Sequence, residues 1–204
     1  MAYLELLVIV YGSCSRDPND DDRFGPEQRR VEITLNPTFP DNAKTIVQRH
    51  KWLQGFLLRI AKDMKHNRNW RCEFCTKHAR ETNWMNTSWM HLPQPRVHCY
   101  VHSVCNAVTG PCSEQLRLAS AEISRLTGMP PAELPQIPSK KGEKFPMSSS
   151  CAVCHNEADE SRKNLKQCAK CELTRYCSVD CQRADWTRHK ECCKTVKEVK
   201  WHWN

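Results

Sequence analysis

Residues 151–193 read CAVCHNEADESRKNLKQCAKCELTRYCSVDCQRADWTRHKECC. Cys151-x2-Cys154 opens the stretch, and Cys168-x2-Cys171 follows after thirteen residues. Cys177-x3-Cys181 and His189-x3-Cys193 complete it. These eight donors fill two tetrahedral zinc sites and leave no coordination position for water. A metal closed in this way is structural, because it can neither generate hydroxide nor polarise a substrate. His189 and Cys193 are four residues apart and share one face of a helix. Ser178 is placed to cap that helix, with Asp180 in its first turn. Spacing alone leaves open whether the four pairs combine sequentially or interleave.

The remainder of the chain shows why metal is needed. Its 204 residues are 39% hydrophobic with a mean hydropathy of −0.71, too polar for burial alone to offset chain entropy comfortably. Fourteen cysteines and nine histidines supply the alternative. Glu5 interrupts the apolar run from Leu4 to Val10, and no basic segment precedes it. The run therefore reads as a buried strand ending at Gly12 rather than a signal peptide. No apolar stretch approaches the ~20 residues of a transmembrane helix. The expected setting is intracellular, in nucleus or cytoplasm, where grouped thiols are metal ligands rather than disulfides.

The formal charge of +8 invites a nucleic-acid reading, but metal chemistry reduces it. Seven thiolates and two Zn2+ in residues 151–193 lower +8 to +5. A third site of three cysteines and one histidine would lower it to +4, an ordinary solubility charge.

Four regions follow from composition. Residues 1–128 read as a mostly helical N-terminal region, with Ser15–Gln28 as an exposed loop and a second short strand over Val31–Leu35. Asp41 or Asn42 is placed to cap a helix running to about Lys65, with Ile46, Leu53, Leu57, Ile60 and Met64 as its apolar stripe. A second helix is expected from Ser113, through Leu116, Ala119, Ile123 and Leu126, to Gly128 and Pro130. Residues 129–150, rich in Pro, Lys and Ser, read as a linker. The zinc-binding segment spans 151–193, and 194–204 form a C-terminal tail. The fold class expected is a small, zinc-stabilised, α-rich protein.

The run Cys177-Ser178-x2-Cys181-Gln182-x2-Asp185-Trp186-x2-His189-Lys190-x2-Cys193, preceded by Tyr176, resembles the MYND zinc-finger signature. The resemblance covers about a fifth of the chain and includes every expected ligand. It implies a cross-brace, with Cys151, Cys154, Cys177 and Cys181 on one zinc and Cys168, Cys171, His189 and Cys193 on the other. Under that register Cys192 is a spare thiol, His155 lies outside the ligand set, and the Tyr176 ring packs between the zinc loops. The resemblance also implies that Gln182 and Trp186, one helical turn apart, line a groove for proline-containing peptides.

Trp70-Arg71-Cys72-Glu73-Phe74-Cys75 and Val97-His98-Cys99-Tyr100-Val101-His102-Ser103-Val104-Cys105 offer a third candidate metal site. Cys72, Cys75, His102 and Cys105 would make a Cys3His tetrahedron, with Cys99 able to replace His102. The Ser88-Trp89-Met90-His91-Leu92 and Tyr100-Val101-His102 runs resemble the region before the finger in fungal MYND-containing proteins. Cys14, Cys99 and Cys112 are left as unassigned thiols.

These readings favour a zinc-binding interaction adaptor that is not an enzyme, docking peptides of other proteins and no membrane. The resemblance implies a setting in transcriptional or chromatin regulation. One alternative is nucleic-acid binding through Arg183, Arg188, Lys190, Lys194, Lys197 and Lys200, although Asp185, Glu191 and Glu198 interrupt that series. The other is a remnant of, or accessory to, a SET-MYND protein lysine methyltransferase, but no Asn-His-Ser-Cys-type cofactor motif is present. Pro130–Pro135 is also a candidate occupant of the chain's own peptide groove.

Overall fold

The computed structural model describes residues 5–11, 30–75, 77–128 and 145–202. In chain order its elements are β1 (Leu6–Tyr11), β2 (Arg30–Leu35), α1 (Ile46–Lys65), β3 (Glu81–Trp89), β4 (Arg96–Val104) and α2 (Pro111–Thr127). They continue with α3 (Asp159–Lys163), β5 (Lys166–Gln167), β6 (Arg175–Tyr176), α4 (Val179–Thr195) and β7 (Val196–His202). Five strands form one sheet in the order β3-β4-β1-β2-β7, and β5 pairs with β6 inside the finger. Strand β1 runs parallel to β4 and antiparallel to β2; the β2–β7 and β3–β4 pairs are antiparallel. The α-rich class expected from the sequence is therefore corrected to a mixed α/β fold.

Each unexpected strand hides its period for a physical reason. In β4, Val97, Cys99 and Ser103 are buried while Arg96, His98 and His102 between them are only partly covered. The Cys and His residues of that alternation read as metal donors. In β3 only Asn83 is fully buried, so no apolar face marks the strand. In β7 the register shifts between Thr34 and Leu35 of its partner, which puts Val196, Val199 and Trp201 off a simple two-residue period. The stretch expected to be a tail is thus an edge strand of the N-terminal sheet.

Helix starts also differ from expectation. Thr45, not Asp41 or Asn42, caps α1: its hydroxyl accepts from the Gln48 amide at 3.2 Å, and the Gln48 side chain accepts from the Thr45 amide at 3.0 Å. Helix α2 begins at Pro111 behind Gly110, whose φ of 87° suits glycine, and Ser113 donates to the Gly110 carbonyl.

The core is continuous through both halves. Leu6, Val8 and Val10 of β1 and Val31, Ile33 and Leu35 of β2 face Leu53, Phe56, Leu57, Ile60 and Met64 of α1. Ile46, expected in that stripe, is exposed. Leu173, Tyr176, Cys192 and Cys193 of the finger and Val196 of β7 belong to the same cluster. Helix α1 is thus packed on the sheet and on the finger together.

Residues 145–150 tie the halves further. Ser148 donates its amide to the Ala79 carbonyl at 2.9 Å and its hydroxyl to the Trp70 carbonyl at 3.1 Å. Arg80 donates to the Phe145 carbonyl and, through both terminal nitrogens, to Glu157 at 2.7 Å. The expected loop at 15–28, Cys14 and residues 129–144, including Pro130–Pro135, lie outside the described residues.

Removing β7 by ending the chain at Thr195 should uncover the hydrogen-bonding edge of β2 and part of the shared core. The expected outcome is concentration-dependent self-association, measured by light scattering, while the finger retains its zinc.

Candidate metal centres

Three clusters of four donors each have all their ligand atoms within 4.8 Å of one another. They are Cys151, Cys154, Cys177 and Cys181; Cys168, Cys171, His189 and Cys193; and Cys72, Cys75, Cys105 and Cys112. A zinc tetrahedron with Zn–S bonds of ~2.3 Å has edges of ~3.8 Å. The observed separations fit that size. Cys154–Cys177 and Cys177–Cys181 are 3.5 Å apart, Cys168–Cys193 3.9 Å, and Cys75–Cys105 3.8 Å. Four soft donors at tetrahedral spacing suit Zn2+. The first two clusters interleave along the chain, because β5, β6 and the start of α4 bring alternate pairs together.

In the first cluster, burial opposes ionisation of Cys151, but backbone amides of Val153, Cys177 and Cys154 aimed at its sulfur bring its pKa down to about 7. The Cys177 amide lies 3.5 Å from that sulfur. Ser178 caps α4 by accepting from the Cys181 amide at 3.1 Å, which fixes the helix that carries Cys181, His189 and Cys193.

The second cluster is wholly buried. Hydrogen bonds from Cys171 and then His189 pull Cys168 down to about 3, and the same Cys168 sulfur pushes Cys171 well up. His189 faces Cys171 with Nε2 at 3.5 Å and turns Nδ1 to Oδ2 of Asp63 at 3.0 Å. Burial disfavours charge on this imidazole, but the bonds to Asp63 and Cys168 raise its pKa to about 9. Asp63 is fully buried on α1 and also accepts from Arg188 at 2.7 Å. Arg188 donates in turn to both oxygens of Asp185, which accepts from the Tyr176 hydroxyl at 2.8 Å. Arg188 thus bridges Asp63 and Asp185, one guanidinium shared between two carboxylates. A carboxylate on Nδ1 fixes the tautomer and the ring orientation of a metal-bound histidine.

The third cluster differs from expectation at one ligand. Cys112, in the first turn of α2, occupies the place assigned to His102. His102 points away from the cluster, with Nδ1 2.7 Å from Glu73. Strand alternation is the cause: Cys105 follows β4 directly, but His102 lies on the opposite face from Ser103. The Cys105-x6-Cys112 spacing across the Gly110-Pro111 turn was the available signal. Asp63 was also missed; its one signal was an acid beside the apolar stripe of α1.

Cys99 and Cys192 are buried apart from these clusters, and burial pushes both thiols up to about 12. They are inert packing residues. His155 is exposed and stacks on His66 at 5.7 Å. Gln182 and Trp186 line a shallow depression of about 320 Å³ with Arg183, and Trp186 is 41% exposed. No described helix is long and apolar enough to cross a membrane.

The molecule is thus a zinc-binding protein with two interleaved closed sites and a third four-cysteine cluster. Residues 151–193 match the model of the MYND finger, a protein-interaction module. A SET domain-containing protein 14 of Caenorhabditis elegans is 48% identical over 42 residues, covering 21% of this chain and 10% of that protein. A SET and MYND domain-containing protein of Dictyostelium discoideum is 43% identical over 51 residues, covering 24% and 9%. The MYND-type zinc finger protein samB of Aspergillus niger is 35% identical, covering 23% and 11%. The chain matches only about a tenth of the length of these curated relatives. No solved structure matches the chain.

Two predictions test the centres. Native mass spectrometry should count three zinc ions per chain, two in Cys112→Ser, and three in His102→Ala. Asp63→Ala should weaken zinc at the His189 site by ~10–100-fold, read by competition with a chromophoric chelator.

Proposed function

We propose that this chain is a non-enzymatic adaptor whose finger docks proline-containing segments of other proteins. The observation that carries the reading is the 41% exposure of Trp186 beside Gln182 on a helix whose other face is held by zinc ligands. An exposed indole is a typical anchor for an extended, apolar, low-entropy ligand. Gln182 is half-buried and its amide nitrogen lies 3.8 Å from the Cys168 sulfur, which orients the side chain toward the zinc core. The amide oxygen, which this contact does not use, would accept a hydrogen bond from a bound peptide. Closed zinc sites support the absence of metal-based catalysis. A transcriptional or chromatin setting belongs to this reading through the finger's family resemblance, and a nuclear or cytoplasmic location through its grouped thiols, which need a reducing compartment.

Nucleic-acid binding along α4 is the weaker reading. Arg188 is committed to Asp63 and Asp185, and Arg183 lies within ion-pair distance of Asp180. Lys197 pairs with Glu5, and Lys200 with Glu198.

The test is calorimetric titration of the full chain with a short proline-rich peptide. Trp186→Ala should weaken binding by roughly 30-fold or more, the loss expected of an aromatic anchor. Zinc content should stay unchanged. Binding that survives the substitution would move the peptide site elsewhere.

A further inference from the structure

A second depression, of about 320 Å³, lies where the finger meets the N-terminal half. Its lining is unusual in charge. Arg68, Arg71, Arg162, Lys163 and Arg175 face one acid, Asp159, which leaves a formal excess of four positive charges. Asn67, Asn69, Ser149 and Leu165 carry no charge, and burial holds His66 neutral by pushing its pKa down to about 3. The cations come from separate segments: Arg68 from the turn after α1, Arg71 from the bridge to His78, Arg162 and Lys163 from α3, and Arg175 from β6. They are not the solvated face of one helix, so tertiary packing has gathered like charges that repel. The C-terminal end of α1 contributes about half a negative charge, far less than the excess.

Several of these side chains are held in place before any ligand arrives. Arg68 lies over the Trp201 ring, 4.3 Å from its centroid. Arg162 pairs with Asp159 and reaches the Ser149 hydroxyl at 3.2 Å. Arg175 is half-buried, its Nε is buried without a hydrogen-bond partner, and among the described residues no carboxylate pairs with it. Burial and the nearby Arg68 charge both hold the Arg175 pKa below the ordinary guanidinium value. A bound anion would relieve both penalties at once.

We propose that this depression is an anion-binding site that accepts a phosphorylated side chain of a partner protein. Guanidinium forks match the oxygens of a phosphate dianion, and several converging forks suit a charge of nearly two better than a single carboxylate. The dimensions favour one phosphorylated side chain over a run of nucleotides, because the cations converge on a single depression rather than tracking along a groove. The site is separate from the Trp186 face, so it stands or falls independently of the proline-peptide reading.

The test uses the full, zinc-loaded chain and a labelled Gly/Ser peptide carrying one phosphoserine, with its unphosphorylated twin and an oligouridylate as comparisons. Fluorescence anisotropy at physiological salt should show the phosphopeptide binding at least tenfold more tightly than its twin. Arg175→Gln should weaken phosphopeptide binding by roughly tenfold or more. Lys163→Gln, at an exposed position that cannot disturb the fold, should weaken it several-fold. Three zincs per chain in each variant would exclude misfolding as the cause. Equal binding of the two peptides, or affinity unaffected by both substitutions, would overturn the proposal. Tight oligouridylate binding with a steep salt dependence and no phosphopeptide preference would assign the site to nucleic acid instead.

Discussion

The buried carboxylate of Asp63 ties the N-terminal half to the finger inside the core that they share. It is presented by α1, whose apolar face packs on the sheet, and it contacts Arg188 and the zinc-ligand His189 of α4. A carboxylate in that position is stable only because a guanidinium and an imidazole share its charge; without them the desolvation cost would be several kcal/mol. The reverse holds equally. His189 presents Nε2 to the metal because Nδ1 is held by Asp63, so the second zinc site is completed by a residue more than a hundred positions away in sequence.

This coupling changes how the finger should be understood. A segment with two closed zinc sites has most of what it needs to fold alone, since metal ligation supplies folding free energy directly. Here it does not stand alone. Its terminal helix runs straight into β7, which completes the edge of the sheet, and residues 145–150 pack under it from the other side. Arg80 and Glu157 add a two-bond clamp. Zinc, core packing and buried polar bonds therefore act on one body. The Trp186 face remains on the outside, carried by a helix that is fixed along its length.

The third cluster shows the same principle at a smaller scale. Two of its cysteines sit in the turn after Trp70, one follows β4, and one begins α2. Three segments with little apolar content converge there, and among the described residues only Val104 and Leu116 join the cysteines as its buried core. Metal at this point replaces the hydrophobic contacts that the segments lack.

The eight finger donors were legible in the sequence because each pair is local, and a turn or one helical step is enough to aim two ligands at one ion. The caps at Ser178 and Gly128 and the apolar stripe of α1 were legible for the same reason: their signals lie within a few residues. Strands β1 and β2 were legible as well, but the rest of the sheet was not, because β3 has no buried face of its own, β4 mixes donors into its alternation, and β7 carries a register shift. Cys112 in place of His102 depended on which face of β4 meets α2. The Asp63–His189 bond, the fixed orientation of the finger and the gathering of Arg68, Arg162 and Arg175 around one depression all join residues far apart in the chain. Local spacing sets which metal can bind; only packing at long range decides which carboxylate orients its histidine and which charges are brought together.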